Sequence, residues 1–101
     1  MKALLITPDS GAIEAVEITG REDIVKLIGY ESLETDSVGA EGDLLYFDEE
    51  CFLRGSKGRF QIDKIIPVSG KGVIVGTEED GVSLRDAATD IADLRARIKF
   101  L

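Results

Sequence analysis

The stretch G-K-G-V-I-V-G-T-E-E-D-G at residues 70–81 indicates how the chain folds. Three consecutive β-branched residues stand between Gly72 and Gly76, and such residues favour a β-strand. Because both faces of this strand are apolar, we expect it inside the sheet. The two glycines mark the ends of the strand, and E-E-D-G at 78–81 predicts a solvated turn. A phosphate-binding P-loop is disfavoured at Lys71, since the spacing is wrong and the loop precedes a strand.

Further strands are predicted earlier in the chain. Residues 2–7, K-A-L-L-I-T, form a buried strand, and the turn signal P-D-S-G joins them in a hairpin to residues 12–18. Apolar and acidic residues alternate along 12–18 with one slip, which is typical of an edge strand or a bulge. Residues 43–48, D-L-L-Y-F-D, are apolar on both faces and are placed centrally in the sheet. A tight turn then leads to a predicted strand at 51–54.

Two helices complete the predicted fold. Thr19 and Glu22 fit a capping box, which starts a short helix at about residues 20–28 that Gly29 ends in a left-handed conformation. Apolar residues recur at spacings of three and four from Leu84 onwards, which predicts a longer C-terminal helix at about residues 84–100. The sequence therefore predicts an α+β fold, a mainly antiparallel β-sheet with two helices, in a single domain spanning residues 1–101.

Composition narrows the classes of partner. The 101 residues include 20 acidic and 12 basic side chains and no histidine, a formal net charge of −8. An acidic protein is repelled by polyanions, so direct binding to nucleic acid or to anionic lipid is disfavoured. No apolar run approaches the length of a membrane span, and the apolar part of the N-terminus is too short for a signal peptide. With one cysteine and no disulfide within the chain, we expect a cytoplasmic protein away from the membrane.

The residue types for common catalytic and metal sites are missing. Without histidine, a Ser-His-acid or Cys-His arrangement cannot form within the chain. Cys51 follows two acidic residues, which disfavour a reactive thiolate, and we interpret it as structural. The acidic runs 48–50 and 78–80 lack the spacing of a calcium-binding loop and are predicted to be solvated. The sequence thus predicts no catalytic residue, no metal and no cofactor, and a protein that is not an enzyme.

One basic segment stands out against the acidic background. Five of the twelve basic residues lie within 18 positions: Arg54, Lys57, Arg59, Lys64 and Lys71. They form a candidate surface for a partner or for a small anion. The G-x-x-G pattern at 55–58 is that of the KH RNA-binding loop, but that loop joins two helices in a basic groove, which this context does not predict.

Several segments together carry a family resemblance. They are K-A-L-L-I-T-P-D at 2–9, I-G-Y-E at 28–31, D-L-L-Y-F-D-E-E at 43–50, and P-V-S-G-K-G-V-I-V-G-T-E-E-D-G at 67–81 with S-L-R-D following at 83–86. In this order and spacing the chain resembles a family of short proteins from phages, plasmids and bacterial genomes, classified as a domain of unknown function. The resemblance implies a mobile-element context and a cytoplasmic setting. It brings no reaction, ligand or catalytic residue with it.

Three functional hypotheses follow from the sequence. The first is a small non-enzymatic protein that binds a macromolecular partner, most naturally another protein, with a homodimer left open. The second is an acidic DNA mimic that inhibits a host nuclease or restriction enzyme, which requires acids in rows at phosphate spacing. The third is binding of a nucleotide or other small anion by the basic segment 54–71.

Overall fold

The computed structural model describes residues 1–39, 41–54, 58–81 and 83–101, and it confirms the α+β class. Nine strands and two helices are present in this part of the chain. The strands are β1 (Lys2–Thr7), β2 (Ala12–Glu17), β3 (Leu33–Val38), β4 (Asp43–Asp48), β5 (Arg59–Ile62), β6 (Val68–Ser69), β7 (Gly72–Thr77), β8 (Leu84–Arg85) and β9 (Ile98–Phe100). The helices are α1 (Arg21–Ile28) and α2 (Ile91–Arg97). None of the helices described is long and apolar enough to cross a membrane.

The large sheet is built around β7. Its strand order is β2-β1-β7-β4-β3, with every neighbouring pair antiparallel, and β8 also pairs with β7. Ile74 lies opposite Leu4 of β1 on one side and Leu45 of β4 on the other. All five residues from Gly72 to Gly76 are buried. The central positions predicted for β7 and β4 are therefore confirmed, and so is the β1–β2 hairpin with β2 at an edge.

Helix α1 crosses one face of the large sheet, from the edge strand β2 to the opposite edge strand β3. The predicted capping box is displaced by one residue. Gly20 is the N-cap, and the carboxylate of Asp23 accepts hydrogen bonds from the Thr19 N–H (2.7 Å) and hydroxyl (2.8 Å). These bonds, the one from the backbone N–H first, lower the pKa of Asp23. Gly29 ends the helix with φ 93°, as predicted, and its N–H donates to Val25.

Alternating side chains of β1 and β7 form two apolar layers, one on each face of the large sheet. The layer under α1 consists of Ala3, Leu5, Val73 and Val75, together with Ile24 and Ile28 of the helix. Leu4, Ile6, Leu45 and Ile74 pack on the other face, against a second sheet of order β6-β5-β9 and against α2. The requirement to bury both faces explains why the central strands are apolar throughout.

Gly72 allows the small sheet to lie directly on β7. A Cβ atom at Gly72 would stand 2.7 Å from Cζ of Phe60 and 2.9 Å from Cδ1 of Leu45. Phe60 is completely buried in the middle strand of the small sheet. The glycine that the sequence marked as the beginning of a strand is therefore also a point where the small sheet packs closely on the large sheet.

The predicted C-terminal helix at 84–100 is wrong in its extent, because only Ile91–Arg97 is helical. Leu84–Arg85 pair with β7, and Ile98–Phe100 pair with β5. The buried carboxylate of Asp43 accepts hydrogen bonds from the N–H groups of Ala88 (2.9 Å) and Thr89 (2.8 Å), which holds the chain out of a helix there. Asp90 then caps α2 by accepting from the Asp93 N–H at 2.7 Å.

The predicted strand at 51–54 is also wrong. Cys51–Leu53 form a short 3-10 helix in which Cys51 is buried, as expected for a structural thiol. The carboxylate of Asp48 accepts the Glu50 N–H at 3.2 Å, and the Leu53 N–H donates to Glu50 at 2.9 Å. These local bonds turn the chain away from the large sheet, so no hairpin strand follows β4.

Substituting Gly72 tests the close approach of the two sheets. We expect Gly72→Ala to lower the free energy of unfolding by about 1–3 kcal/mol, because the new methyl group overlaps the buried Phe60 ring. Gly20→Ser is the control, since a Cβ there meets no atom within 4 Å and serine is as well suited as glycine to the N-cap of α1. Urea unfolding followed by circular dichroism measures both. Equal losses in the two variants would contradict the packing role of Gly72.

Candidate functional site: a cleft and a neighbouring face

A cleft of about 340 Å³ opens at the end of the large sheet where β1 and β4 finish and β7 begins. It is lined by Thr7, Pro8, Asp9, Ile28, Tyr30, Asp48, Ser69, Gly70 and Lys71. Strand ends, the end of α1 and the turn before β7 thus contribute together. A volume of this size is at the small end of the range for small-molecule sites, about 300–1,000 Å³.

Asp48 organises the inner wall of the cleft. Its buried carboxylate accepts hydrogen bonds from the Ser32 hydroxyl (2.8 Å), the Glu50 N–H (3.2 Å) and Nε of Arg54 (2.9 Å). Burial alone would raise the pKa of Asp48, but the hydrogen bonds from Arg54, Ser32 and Glu50 outweigh it and hold the pKa below its ordinary value of 3.8. Asp48 is therefore an ionised, fully engaged carboxylate at neutral pH.

Arg54 links this carboxylate to an aromatic ring. Its guanidinium carbon lies 4.1 Å from the centroid of the Tyr30 ring, a cation–π distance. A terminal nitrogen of Arg54 also lies 3.4 Å from a carboxylate oxygen of Glu50. The hydrogen bond to Asp48, first, and then the two nearby carboxylates raise the pKa of Arg54. Arg54 is thus held by the two carboxylates while its guanidinium packs on the Tyr30 ring and restrains it.

Tyr30 lines both the cleft and a second groove. Arg54 lines that second groove and is not among the residues that line the cleft. The outer wall of the cleft is held in place by Gly58, which packs on the β1–β2 turn. A Cβ at Gly58 would stand 2.7 Å from backbone atoms of Pro8 and Asp9. The Gly70 N–H in turn donates to Gly58 at 3.2 Å, which fixes the turn that carries Lys71.

A second feature lies beside the cleft, on the outer side of the small sheet. It consists of Phe52, Leu53, Arg59, Ile66 and Leu101, and we call it the docking face. Phe52, Leu53, Ile66 and Leu101 are 53%, 82%, 72% and 62% exposed, and large apolar side chains as exposed as these are candidate contact residues for a partner.

Arg59 joins two members of the docking face. Its guanidinium carbon lies 5.3 Å from the centroid of the Phe52 ring. Leu101 is its neighbour across the strand pair, since the Leu101 N–H donates to Arg59 at 2.9 Å. Gln61 points to the same side as Arg59, and its amide donates to Ile65 at 3.0 Å, which brings the 65–66 turn to this surface.

The structure separates the five basic residues of the candidate surface. Arg59 lies in the docking face and Lys71 lies in the cleft, near each other because Arg59 pairs with Ser69. Lys64 is exposed on the turn at the opposite end of β5. Arg54 is held in the ion pairs with Asp48 and Glu50. Lys57 lies outside the described residues, as does most of the G-x-x-G segment 55–58.

Sequence reasoning missed Tyr30 and the buried position of Asp48. The acidic run 48–50 was predicted to be solvated, which is wrong for Asp48 and right for the exposed Glu49 and Glu50. The sequence did contain one signal for this position. Asp48 ends an otherwise apolar strand, and a carboxylate there can accept hydrogen bonds from the N–H groups of the following turn. The acidic run 78–80 is exposed as predicted. The described residues include no group of side chains arranged to hold a metal ion.

Removing the charge of Asp48 tests how the cleft wall is held. We expect Asp48→Asn to lose about 2 kcal/mol of stability at pH 7, because three donors to a charged acceptor are disturbed. Folding lowers the pKa of Asp48, so its contribution is complete above the ordinary value of 3.8 and is lost as the pH falls through the folded-state value. The stability difference between wild type and Asp48→Asn should therefore shrink between about pH 5 and pH 2.

The measurement is urea unfolding at several pH values. Glu49→Gln is the control, since it removes a neighbouring carboxylate that is exposed. A stability difference for Asp48→Asn that stays constant down to the acid range would contradict an ionised Asp48 in the wall.

Comparisons with known proteins assign the chain to no family. The chain matches no family model, no curated protein and no solved structure. The resemblance to a family of phage, plasmid and bacterial proteins therefore stays a prediction.

Proposed function

We propose that the protein is a non-enzymatic binding protein that holds an acidic protein partner on the docking face. The observation that carries the proposal is the concentration of exposed apolar side chains on the small sheet and beside it, where Arg59 contacts the Phe52 ring. Of the six large apolar side chains that are exposed in the described chain, five lie on the small sheet or next to it: Phe52, Leu53, Ile66, Phe100 and Leu101. Arginine and aromatic residues are the side chains most enriched at the centres of protein interfaces.

Charge favours an acidic partner. Arg54 is paired with Asp48 and Glu50, but Arg59, Lys64 and Lys71 are basic, and the single acid within residues 58–71, Asp63, is paired with Arg97. Lys99 adds a further positive charge next to Leu101. An apolar centre with a basic rim is complementary to a partner that has an apolar anchor among acidic side chains.

The DNA-mimic alternative is less well supported by the same charges. It requires free carboxylates in rows, whereas Asp43 and Asp48 are buried and bonded within the chain. Asp63 and Asp93 are paired with Arg97.

The homodimer also stays a prediction. The two edge strands of the large sheet carry exposed acids such as Glu14 and Glu34, and like charges oppose edge pairing between copies.

Charge reversal on the docking face tests the proposal. We expect the double variant Leu53→Glu and Ile66→Glu to weaken partner binding by about tenfold or more, because two exposed apolar anchors become charges of the partner's own sign. Affinity capture from host extract with quantitative mass spectrometry identifies the partner, and titration calorimetry with the purified partner gives the affinity.

The matched control is Ala15→Glu with Thr35→Glu, which adds the same charge at exposed positions on the edges of the large sheet. Thermal unfolding confirms that both double variants keep the fold. A partner whose affinity falls equally in both variants, or in neither, would contradict binding through the docking face.

A further inference from the structure

The cleft at the end of the large sheet is a site that the proposed protein interaction does not use. We propose that it binds a small planar aromatic molecule that carries an anionic group, of about the size of a nucleoside monophosphate. The inference stands on the Tyr30 ring, on two unpaired donors and on the dimensions of the cleft. It does not depend on the docking face.

The Tyr30 ring forms an aromatic wall that is fixed before any ligand arrives. Arg54 holds the ring from the side of the second groove, and Asp48 and Glu50 hold Arg54. A ring fixed in this way loses little side-chain freedom when a flat molecule stacks on it. Tyr30 is 37% exposed, so part of the ring is open to such a contact. Ile28 and Pro8 supply further apolar surface in the cleft.

Two polar groups of the cleft are uncommitted donors. The side chain of Lys71 is exposed and forms no ion pair with a described residue. The Tyr30 hydroxyl has no hydrogen-bond partner in the described part of the chain. Asp48, by contrast, already accepts three hydrogen bonds and is paired with Arg54. An ammonium and a hydroxyl that lack partners fit an anionic acceptor such as a phosphate or a carboxylate.

Asp9 in the cleft indicates a third feature that the ligand should have. Its carboxylate lies on the β1–β2 turn, on the wall that Gly58 supports. It suits an N–H or amino group on the ring and would repel a second anion. The cleft therefore favours one anionic group over two or more, and a ring with a nitrogen donor over a plain hydrocarbon ring. Aminated nucleobases with one phosphate and aminobenzoates with one carboxylate share this chemistry.

Titration of ¹⁵N-labelled protein followed by NMR tests the inference with four probes. AMP and 2-aminobenzoate have both the ring and the anion, adenosine lacks the anion, and inorganic phosphate lacks the ring. We expect saturable shifts at the amides of Tyr30, Gly70 and Lys71 with AMP, with 2-aminobenzoate or with both. Adenosine and phosphate should each bind with an affinity at least about tenfold lower than that of the better of these two probes. Which of the first two binds more tightly distinguishes the nucleotide from the aromatic carboxylate.

Three variants assign the contacts. Lys71→Gln should weaken the better probe by about fivefold or more through loss of the ammonium, and Tyr30→Leu should weaken it by about tenfold through loss of the ring. Lys64→Gln is the control, since it removes an exposed lysine at the opposite end of β5 and should leave the affinity unchanged.

Three results would overturn the inference: no shift at these amides with any probe up to about 10 mM, phosphate binding as tightly as AMP and 2-aminobenzoate, or an affinity that Lys71→Gln leaves unchanged. The docking-face variant Leu53→Glu with Ile66→Glu separates the two proposals. It should keep the affinity of the cleft probes while it loses the protein partner.

Discussion

The contact between Phe60 and Gly72 is the constraint on which the remaining structure depends. The ring of Phe60 occupies the space that a side chain at position 72 would need, so the small sheet lies directly on the central strand of the large sheet. With Phe60 turned inwards, strand alternation turns Arg59 outwards into the docking face. The pairing of Arg59 with Ser69 then fixes the turn that carries Lys71 into the cleft. One buried contact thus positions both candidate surfaces.

Two buried carboxylates at the ends of β4 determine how the irregular segments run. Asp43 binds the backbone N–H groups of Ala88 and Thr89, and Asp48 binds the Glu50 N–H, Ser32 and Arg54. A buried carboxylate is stable only when its oxygens accept such bonds, so each acid selects one path for the segment that binds it. Part of the acidic composition of the chain is therefore structural. The charge that remains available to a partner is distributed unevenly, with the positive part beside the apolar residues of the small sheet.

The sequence predicted what depends on local apolar patterns. The central strands, the β1–β2 hairpin and α1 all follow from periodicity and turn residues, and the structure confirms them. The C-terminal helix was overextended because a spacing of three and four is also met by residues that pack from separate short elements. Long-range hydrogen bonds to Asp43 decide that segment, and they leave no local pattern. The cleft was missed for the same reason, since Tyr30 and Lys71 meet only after the sheet has formed.

The central claim is that the two sheets are locked together as one folding unit through Phe60 and Gly72, which keeps the cleft and the docking face in fixed positions. Native-state hydrogen exchange on the unmodified protein tests it most directly. We predict that the protected amides of β5 and β7 exchange with free energies of opening that agree within about 1 kcal/mol, because neither sheet opens without the other. Amides of β5 that exchange with a free energy several kcal/mol below those of β7 would show that the small sheet opens alone, and would contradict this account.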